Sequence, residues 1–353
     1  MINVKPADMI LRDLAPRQGY QRLVEAKDHA TGLHALVSIH SLHRGPAAGG
    51  CRMFDYATFD DAVQDVQRLS LGMTYKNAAA DLPLGGGKSV IIGDPKRHKT
   101  PELMRAFGRL IDHLGGSYYT AEDVGISPQD MAYVAQTTPY VAGLEGGEFA
   151  SGDPSPVTAR GVFLCLKQTL LHALGSDDLN NKTVAIQGLG HVGMHLATLL
   201  HGAGADLIVS DINSEATQHA AQKLGALVVL PQEIFHQDAD VFAPCAMGGI
   251  LSTDVIAGLK ARFVVGAANN QLAHETCGQG LHDAGVLYAP DYIVNGGGII
   301  NVAMEILKIS DPAYRENRVN GLAKTLDQVF TAATKAGEPP HIVADRLIKQ
   351  RLA

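Results

Sequence analysis

Residues 183–193 read TVAIQGLGHVG, a short β-branched apolar run followed by Gly188-x-Gly190-x-x-Gly193 and the start of an apolar helix that continues to about Gly202. Strand, glycine turn and helix in this order are the setting in which G-x-G-x-x-G holds a dinucleotide. The glycines allow a tight turn and bring the pyrophosphate against the helix N-terminus. The next strand, Leu207–Ser210, ends at Asp211, about 18 residues beyond Gly193 and close to the roughly 20-residue spacing of the motif. A carboxylate there accepts from ribose hydroxyls and repels a 2′-phosphate, so NAD is expected over NADP. Gly188, Leu189, Gly190, His191, Val192 and Gly193, with Asp211 and Ile212, are the expected cofactor contacts. His191 and His195 stand four apart on the helix, but no third ligand or H-E-x-x-H pattern accompanies them, and no metal site is expected.

Working outward toward the C-terminus, Asp240–Ala243 and Phe263–Val265 read as short strands. Each runs into a small-residue turn, one carrying Cys245 and Ala246, the other Ala267 and Asn269. Turns at the carboxyl ends of parallel strands line a dinucleotide crevice, and these four residues join the expected contacts. Tyr288–Val294 leads to Asn295-Gly-Gly-Gly298 and a helix beginning near Ile299; from Asn320 the tail reads as amphipathic helix. Toward the N-terminus, Gly161–Leu174 is a helix, and the Gly, Ser and Pro of 143–156 suggest a hinge. The expected organisation is α/β with two domains and a cleft between them. Residues 1–145, with helices of 320–353 packed back on them, form a substrate and oligomerisation domain, and 146–319 form a Rossmann-type NAD-binding domain.

In the first part, Leu33–His40 reads as a strand, Gly45–Gly50 as a glycine-rich punctuation, and Asp60–Leu71 as a helix. Thr100 and Pro101 suit the N-cap and first position of another helix. Residues 73–95, MTYKNAAADLPLGGGKSVIIGDP, then place Lys76 and Lys88 on either side of an apolar turn and a glycine run, where backbone can approach a small ligand. Two ammonium groups facing one site lower each other's pKa, and a lysine so perturbed serves as acid or base near neutral pH. GGGKS resembles the end of a phosphate-binding P-loop, but the register places Leu82 where the leading glycine belongs, and a strand-like run follows where a helix is needed. Tyr118–Gly125 reads as a strand ending in Glu122 and Asp123; spacing alone leaves Asp123 either a site carboxylate or a cap for the helix after Ser127-Pro128.

At 353 residues the chain is long enough for two cores. The 29 basic and 36 acidic residues give a net charge of -7 without a basic block, which argues against nucleic-acid binding. Cys51, Cys165, Cys245 and Cys277 show no C-x-x-C spacing and read as reduced thiols of a cytoplasmic protein. No apolar run reaches the length of a membrane span, and the N-terminus has no export signal.

Taken together, the motifs resemble the amino-acid dehydrogenases of the glutamate, leucine, phenylalanine and valine group, most closely the leucine dehydrogenases. The resemblance runs from about Gly45 to Asn301 and rests on GMTYKNAAADLPLGGGKSVIIGDP, YTAEDVG, DPSPVTARGV, GLGHVG, FAPCAMGG, GAANNQL and YAPDYIVNGGGIINVA, in that order. It implies oxidation of an L-amino acid by NAD and water to a 2-oxo acid, ammonia and NADH, and a homo-oligomer, dimeric or octameric. Matched position by position, Lys76 holds the substrate carboxylate. Lys88 activates water, with its pKa held down by Lys76 and burial, and Asp123 shuttles protons at the amino nitrogen. Gly49 and Asn269 contact the substrate or nicotinamide region, and Thr158 lies near the carboxamide. The resemblance puts Ala48, Met73, Ala121, Ile299 and Val302 around the substrate side chain. All are apolar, so a glutamate γ-carboxylate would lack a partner, and leucine, valine or isoleucine is the first expectation. Leucine dehydrogenases usually carry a larger residue at the Ala48 position, which keeps phenylalanine and other aromatic substrates as the alternative. A 2-hydroxy-acid dehydrogenase would need a His-carboxylate pair beside the nucleotide domain, which is missing. A non-catalytic NAD-binding protein would be expected to lose Lys88 or Asp123, and both are present.

Overall fold

The computed structural model describes residues 9–352. The first unit comprises β1 (Met9–Leu14), β2 (Arg22–Asp28), β3 (Leu33–Ser41), β4 (Ala47–Phe54), α1 (Phe59–Ala79), β5 (Gly85–Ile92), α2 (Pro101–His113), β6 (Tyr118–Glu122) and α3 (Pro128–Val134). Its strands form one sheet in the order β1-β2-β3-β5-β4-β6; the first four are joined antiparallel, and β5-β4-β6 are parallel. Helices α2 and α3 cover one face through Leu103, Phe107, Leu110 and Met131. Helix α1 covers the other with Ala62 and Val66. Thr58 caps α1 in a reciprocal box with Asp61, and Thr100 caps α2 ahead of Pro101.

Two features of the lysine stretch differ from the sequence expectation. Helix α1 does not stop near Leu71 but runs on through Lys76, because Thr74, Asn77 and Ala78 extend its buried face. The glycine run, expected where backbone approaches a small ligand, instead lies within a strand: Gly85–Gly87 open β5 in the middle of the sheet. A Cβ on Gly86 would lie 2.1 Å from Thr74 Oγ1 and 2.2 Å from Thr74 N, so this glycine lets the backbone of α1 rest directly on the strand.

The second unit comprises α4 (Ser155–Leu174), β7 (Thr183–Gln187), α5 (His191–Gly202), β8 (Asp206–Ser210), α6 (Ser214–Leu224), β9 (Leu227–Val228), β10 (Val241–Pro244), α7 (Thr253–Gly258), β11 (Phe263–Val264), α8 (Thr276–Asp283), β12 (Leu287–Tyr288), α9 (Asp291–Val294) and α10 (Gly297–Ile306). Its six strands are all parallel in the order β9-β8-β7-β10-β11-β12. Counted from β7 this is the 3-2-1-4-5-6 order of dinucleotide-binding sheets, whose crevice opens where the order reverses, between β7 and β10.

The chain ends with α11 (Pro312–Ala336) and α12 (Pro340–Leu352). Helix α11 starts eight residues or so before the sequence pattern suggested, where Asp311 caps it and Pro312 takes the first position. It packs along α4 of the second unit, while its Thr325 hydroxyl donates to Ala79 O at the end of α1 and Arg318 pairs with Asp81. Helix α12 packs on α1, where Arg351 donates to Ala78 O. The two C-terminal helices therefore straddle the junction of the units, where the sequence placed them on the first alone. Among the described residues no helix is long and apolar enough to cross a membrane.

Candidate active site

A cleft of about 500 Å³ lies between the two units. From the first unit, Gly49, Met73, Lys76, Lys88, Ala121 and Asp123 line it; from the second, Thr158, Val192, Ala267, Asn269, Ile299 and Val302 do. Residues more than two hundred positions apart thus meet in one space.

The glycines of β4 explain how the site closes around the lysines. A Cβ on Gly49 would meet Gly87 O at 2.0 Å and Met73 Cγ at 2.9 Å, and one on Gly50 would meet Asp123 Cβ at 2.9 Å. Bare backbone at these positions lets Asp123, just past the end of β6, lie against β4. Ser127, not Asp123, caps α3, which leaves the Asp123 carboxylate free for the cleft. Lys88 projects from β5, is almost fully buried, and its Nζ donates to Asp123 Oδ2 at 2.5 Å. Burial works to raise the Asp123 carboxyl, but the Lys88 ammonium and then the Arg52 guanidinium outweigh it and hold it below the usual carboxylate range.

Lys76, on the last turn of α1, crosses to the second unit and donates to Asn269 Oδ1 at 2.7 Å. Asn295 Nδ2 donates to the same oxygen at 2.9 Å and to Ala267 O at 3.1 Å, which fixes the amide. Burial, with the nearby Lys88 charge added, pushes the Lys76 ammonium down to about 8, although Asp291 and Asp123 work the other way. Asp291 opens α9 and accepts from Gln271 N at 2.7 Å. Its burial raises its carboxyl despite that donor and the Lys76 charge.

The nucleotide turn sits at the carboxyl ends of β7 and β10, and Cys245 N donates to Gln187 O to hold the two ends together. Gly188 has φ +93°, and a Cβ there would meet Ala246 atoms at 2.7–2.9 Å; a Cβ on Gly193 would strike Gly188 O at 2.0 Å. Gly190, by contrast, faces open space and stands as the N-cap of α5 with no side-chain partner for the helix N–H groups. An open cradle of N–H donors with only a hydrogen on the facing Cα fits a pyrophosphate. The Asp211 carboxylate accepts from Leu189 N at 2.5 Å and Asn213 N at 2.7 Å, which places its charge at the mouth of this turn. Ile212 beside it is almost fully exposed, and His191 is exposed at the start of α5.

Met73, Ala121, Ile299 and Val302 of the expected pocket share the cleft wall; the exception, Ala48, is fully buried and does not line it. Its methyl belongs to the buried apolar cluster that also holds Ala78, Leu82 and Leu84. The expectation that Ala48 surrounds the substrate side chain is therefore corrected. The cleft also contains residues that sequence reasoning passed over: Arg52, Leu69, Tyr119, Asp291, Asn295 and Ile306. Leu69 and Ile306 continue the helical faces of Met73 and Val302 at four-residue spacing, a signal the sequence carries. No local pattern ties Asp291 to Lys76, which meet only through the fold.

Residues 20–140 match the family model described as Glu/Leu/Phe/Val dehydrogenase, dimerisation domain. Residues 151–222 and 209–342 match that described as Glutamate/Leucine/Phenylalanine/Valine dehydrogenase. The chain is 45% identical over 333 residues to leucine dehydrogenase of Bacillus subtilis (strain 168), covering 94% of this chain and 91% of that protein. It is 42% identical over 344 residues to phenylalanine dehydrogenase of Bacillus thermotolerans, covering 94% and 88%. Among solved structures, L-tryptophan dehydrogenase from Nostoc punctiforme superposes with a TM-score of 0.83 at 39% identity, covering 95% of this chain and 96% of that one.

Proposed function

The chain belongs to the glutamate/leucine/phenylalanine/valine dehydrogenase family, and from that premise we propose how its cleft oxidises an apolar L-amino acid and which residues do it. The protein is an amino-acid dehydrogenase that deaminates apolar amino acids with a nicotinamide cofactor. The finer reading is NAD, with leucine, valine or isoleucine as substrate.

Lys76 holds the substrate carboxylate, taking it in place of the Asn269 amide oxygen, while Asn269, kept in place by Asn295, faces the substrate or nicotinamide region. Residues of the Gly188–Gly193 turn and Thr158 would hold a nicotinamide cofactor, which when bound would supply the acceptor for the hydride that leaves Cα. Asp123 takes a proton from the amino nitrogen, which lets the C–N bond become an imine. Lys88 then removes a proton from water as its oxygen adds to the imine carbon, and Asp123 returns a proton to nitrogen; ammonia leaves as the carbonyl forms, and the hydroxyl proton passes to the Asp123 carboxylate. The single observation that carries this reading is the 2.5 Å contact of Lys88 with Asp123 inside the cleft, within the same wall as Lys76.

The side chain lies against Met73, Ala121, Ile299 and Val302, none of which offers a charge to a second carboxylate. Ala121 and Gly143 are small residues on the wall, which favours an aromatic substrate as the second reading. Asp211 at the mouth of the glycine turn disfavours a 2′-phosphate and supports NAD. The match of 20–140 to a dimerisation domain supports a homo-oligomer, dimeric or octameric, and the free thiols of all four cysteines support a cytoplasmic setting. The domain boundary belongs near residue 145, in the loop between α3 and α4.

Initial rates over a panel of amino acids with NAD and with NADP test the reading. The branched apolar acids should give the highest kcat/KM, glutamate a negligible one, and NADP a lower one than NAD. Preference for glutamate, or equal efficiency with NADP, would overturn the substrate or the cofactor assignment respectively.

A further inference from the structure

The acid–base pair has a third member that the reaction scheme does not use. Strand β4 is fastened to the exit of β6 on both sides of Asp123: Cys51 pairs with Glu122, and Met53 N donates to Val124 O at 2.9 Å. Arg52, between them, is held beside Asp123 by this register. Its Nη1 donates to Asp65 Oδ2 at 3.0 Å, and Asp65 is itself fixed by the Tyr56 hydroxyl at 2.7 Å and Arg68 Nη2 at 2.9 Å. Its Nε is shielded from solvent, has no hydrogen-bond partner, and stands 3.6 Å from Asp123 Oδ2, the oxygen that Lys88 occupies. A buried donor left unpaired is costly, and here it stands beside the carboxylate the reaction needs.

We propose that Arg52, seated on Asp65, is a positioning residue for the pair: it keeps the Asp123 carboxylate charged and aimed while Lys88 exchanges its proton. Lysine must become neutral to act as a base, and at that moment Asp123 loses its nearest cation. A guanidinium stays charged throughout and supplies a donor as Lys88 turns to water. The chain Lys88, Asp123, Arg52, Asp65 alternates in sign, so each carboxylate keeps a cation at every stage. The inference rests on the assignment of Asp123 as proton carrier.

Other groups also face the pair. Lys76 does so from α1, Glu122 from β6 itself, and the buried Cys51 thiol and Tyr118 phenol from β4 and β6; Asp291 of α9 faces it only through Lys76. None of these is tied to Asp123 by a donor, and Arg52 is the group that a neutral substitution isolates. The experiment is the pH profile of kcat/KM for amino-acid oxidation, which reports the free enzyme. Removing the charge in Arg52→Gln should move the acid limb, which the coupled Lys88–Asp123 pair sets together, upward by about one pH unit, since losing a cation a few ångströms away raises the proton affinity of both groups. Turnover should fall with an unchanged melting temperature and cofactor affinity. Arg52→Lys keeps a charge and should leave the limb in place while lowering kcat. A role in packing alone would lower rate or melting temperature at every pH without moving the limb. A folded Arg52→Gln protein with the wild-type limb overturns the inference. If Arg52→Gln does not fold, Arg52→Lys decides it: a limb displaced by a full pH unit despite the retained charge overturns it, and a limb in place with reduced kcat supports it. Asp123→Asn separates the two assignments. Near-normal turnover there removes Asp123 as proton carrier, whereas an inactive Asp123→Asn beside an unmoved Arg52→Gln limb removes only the Arg52 inference.

Discussion

Two glycine-rich segments of this chain look alike as sequence and do opposite things in the fold. In Gly85–Gly87 the missing side chains make room for protein: the backbone of α1, the Ser41 carbonyl and the Tyr118 ring occupy the places where Cβ atoms would go. In the Gly188–Gly193 turn two of the glycines are also packed against protein, but Gly190 faces nothing within 4 Å. What separates a packing glycine from a ligand-facing one is what a Cβ would touch, and that is a property of the tertiary structure, not of glycine content. The first segment serves chemistry indirectly, by seating α1 and by carrying Lys88 on the same strand.

The largest effect should come from removing what the packed segment carries. Lys88→Ala leaves both glycine segments intact and should lower kcat by about a hundredfold or more, the scale of a lost acid–base group, while titration with reduced cofactor shows unchanged affinity. Turnover near that of the wild type would show that β5 is only a structural strand.

A pair of identical substitutions breaks the comparison directly. Gly86→Ala must push against the Thr74 backbone, and overpacking of this kind costs about 1–3 kcal/mol, so the melting temperature should fall. Gly190→Ala meets no protein atom and has φ −64°, which alanine adopts freely, so its melting temperature should match the wild type. Its cofactor KM should instead rise by about tenfold, roughly 1.4 kcal/mol of lost contact with the pyrophosphate. Reversed phenotypes, with Gly190→Ala unstable and Gly86→Ala merely weak in cofactor binding, would invert the functions given to the two segments.

Much of this was legible in the chain. The strand, turn and helix around Gly188 carried their own confirmation, because local period and glycine spacing specify that element without help from elsewhere. The α/β class followed from the alternation beyond it. The packing role of the glycine run before Lys88 is not legible, because a glycine facing a ligand and a glycine under a helix have the same one-letter pattern; only the position of Thr74 on α1, twelve residues before Gly86, distinguishes them. Ala48 was placed at the pocket by resemblance, but its methyl belongs to a buried apolar cluster. Arg52 and Asp291 stayed hidden because each matters through a partner on another element, Asp123 after β6 and Lys76 on α1.

The smallest predicted effect sharpens the comparison at Lys76, which the glycine strand positions only through the last turn of α1. Burial holds this ammonium near 8 in the free protein, so it carries its charge at neutral pH and loses it as the pH rises through about 8. A substrate carboxylate needs the charged form. An amino-acid substrate loses its own proton in the alkaline range, so the cleaner probe is a saturated branched carboxylate of the same length, used as a competitive inhibitor. Its inhibition constant should be flat below about pH 7.5 and then climb, approaching tenfold per pH unit as one proton is lost. Lys76→Ala should bind the inhibitor weakly at every pH and abolish the slope. Because Gly86→Ala displaces the turn that carries Lys76, its folded fraction should show weakened inhibitor binding at pH 7, whereas Gly190→Ala should reproduce the wild-type curve. An inhibition constant independent of pH from 7 to 9.5 would mean that another group holds the carboxylate, and it would leave the glycine strand with Lys88 as its sole contribution to the site.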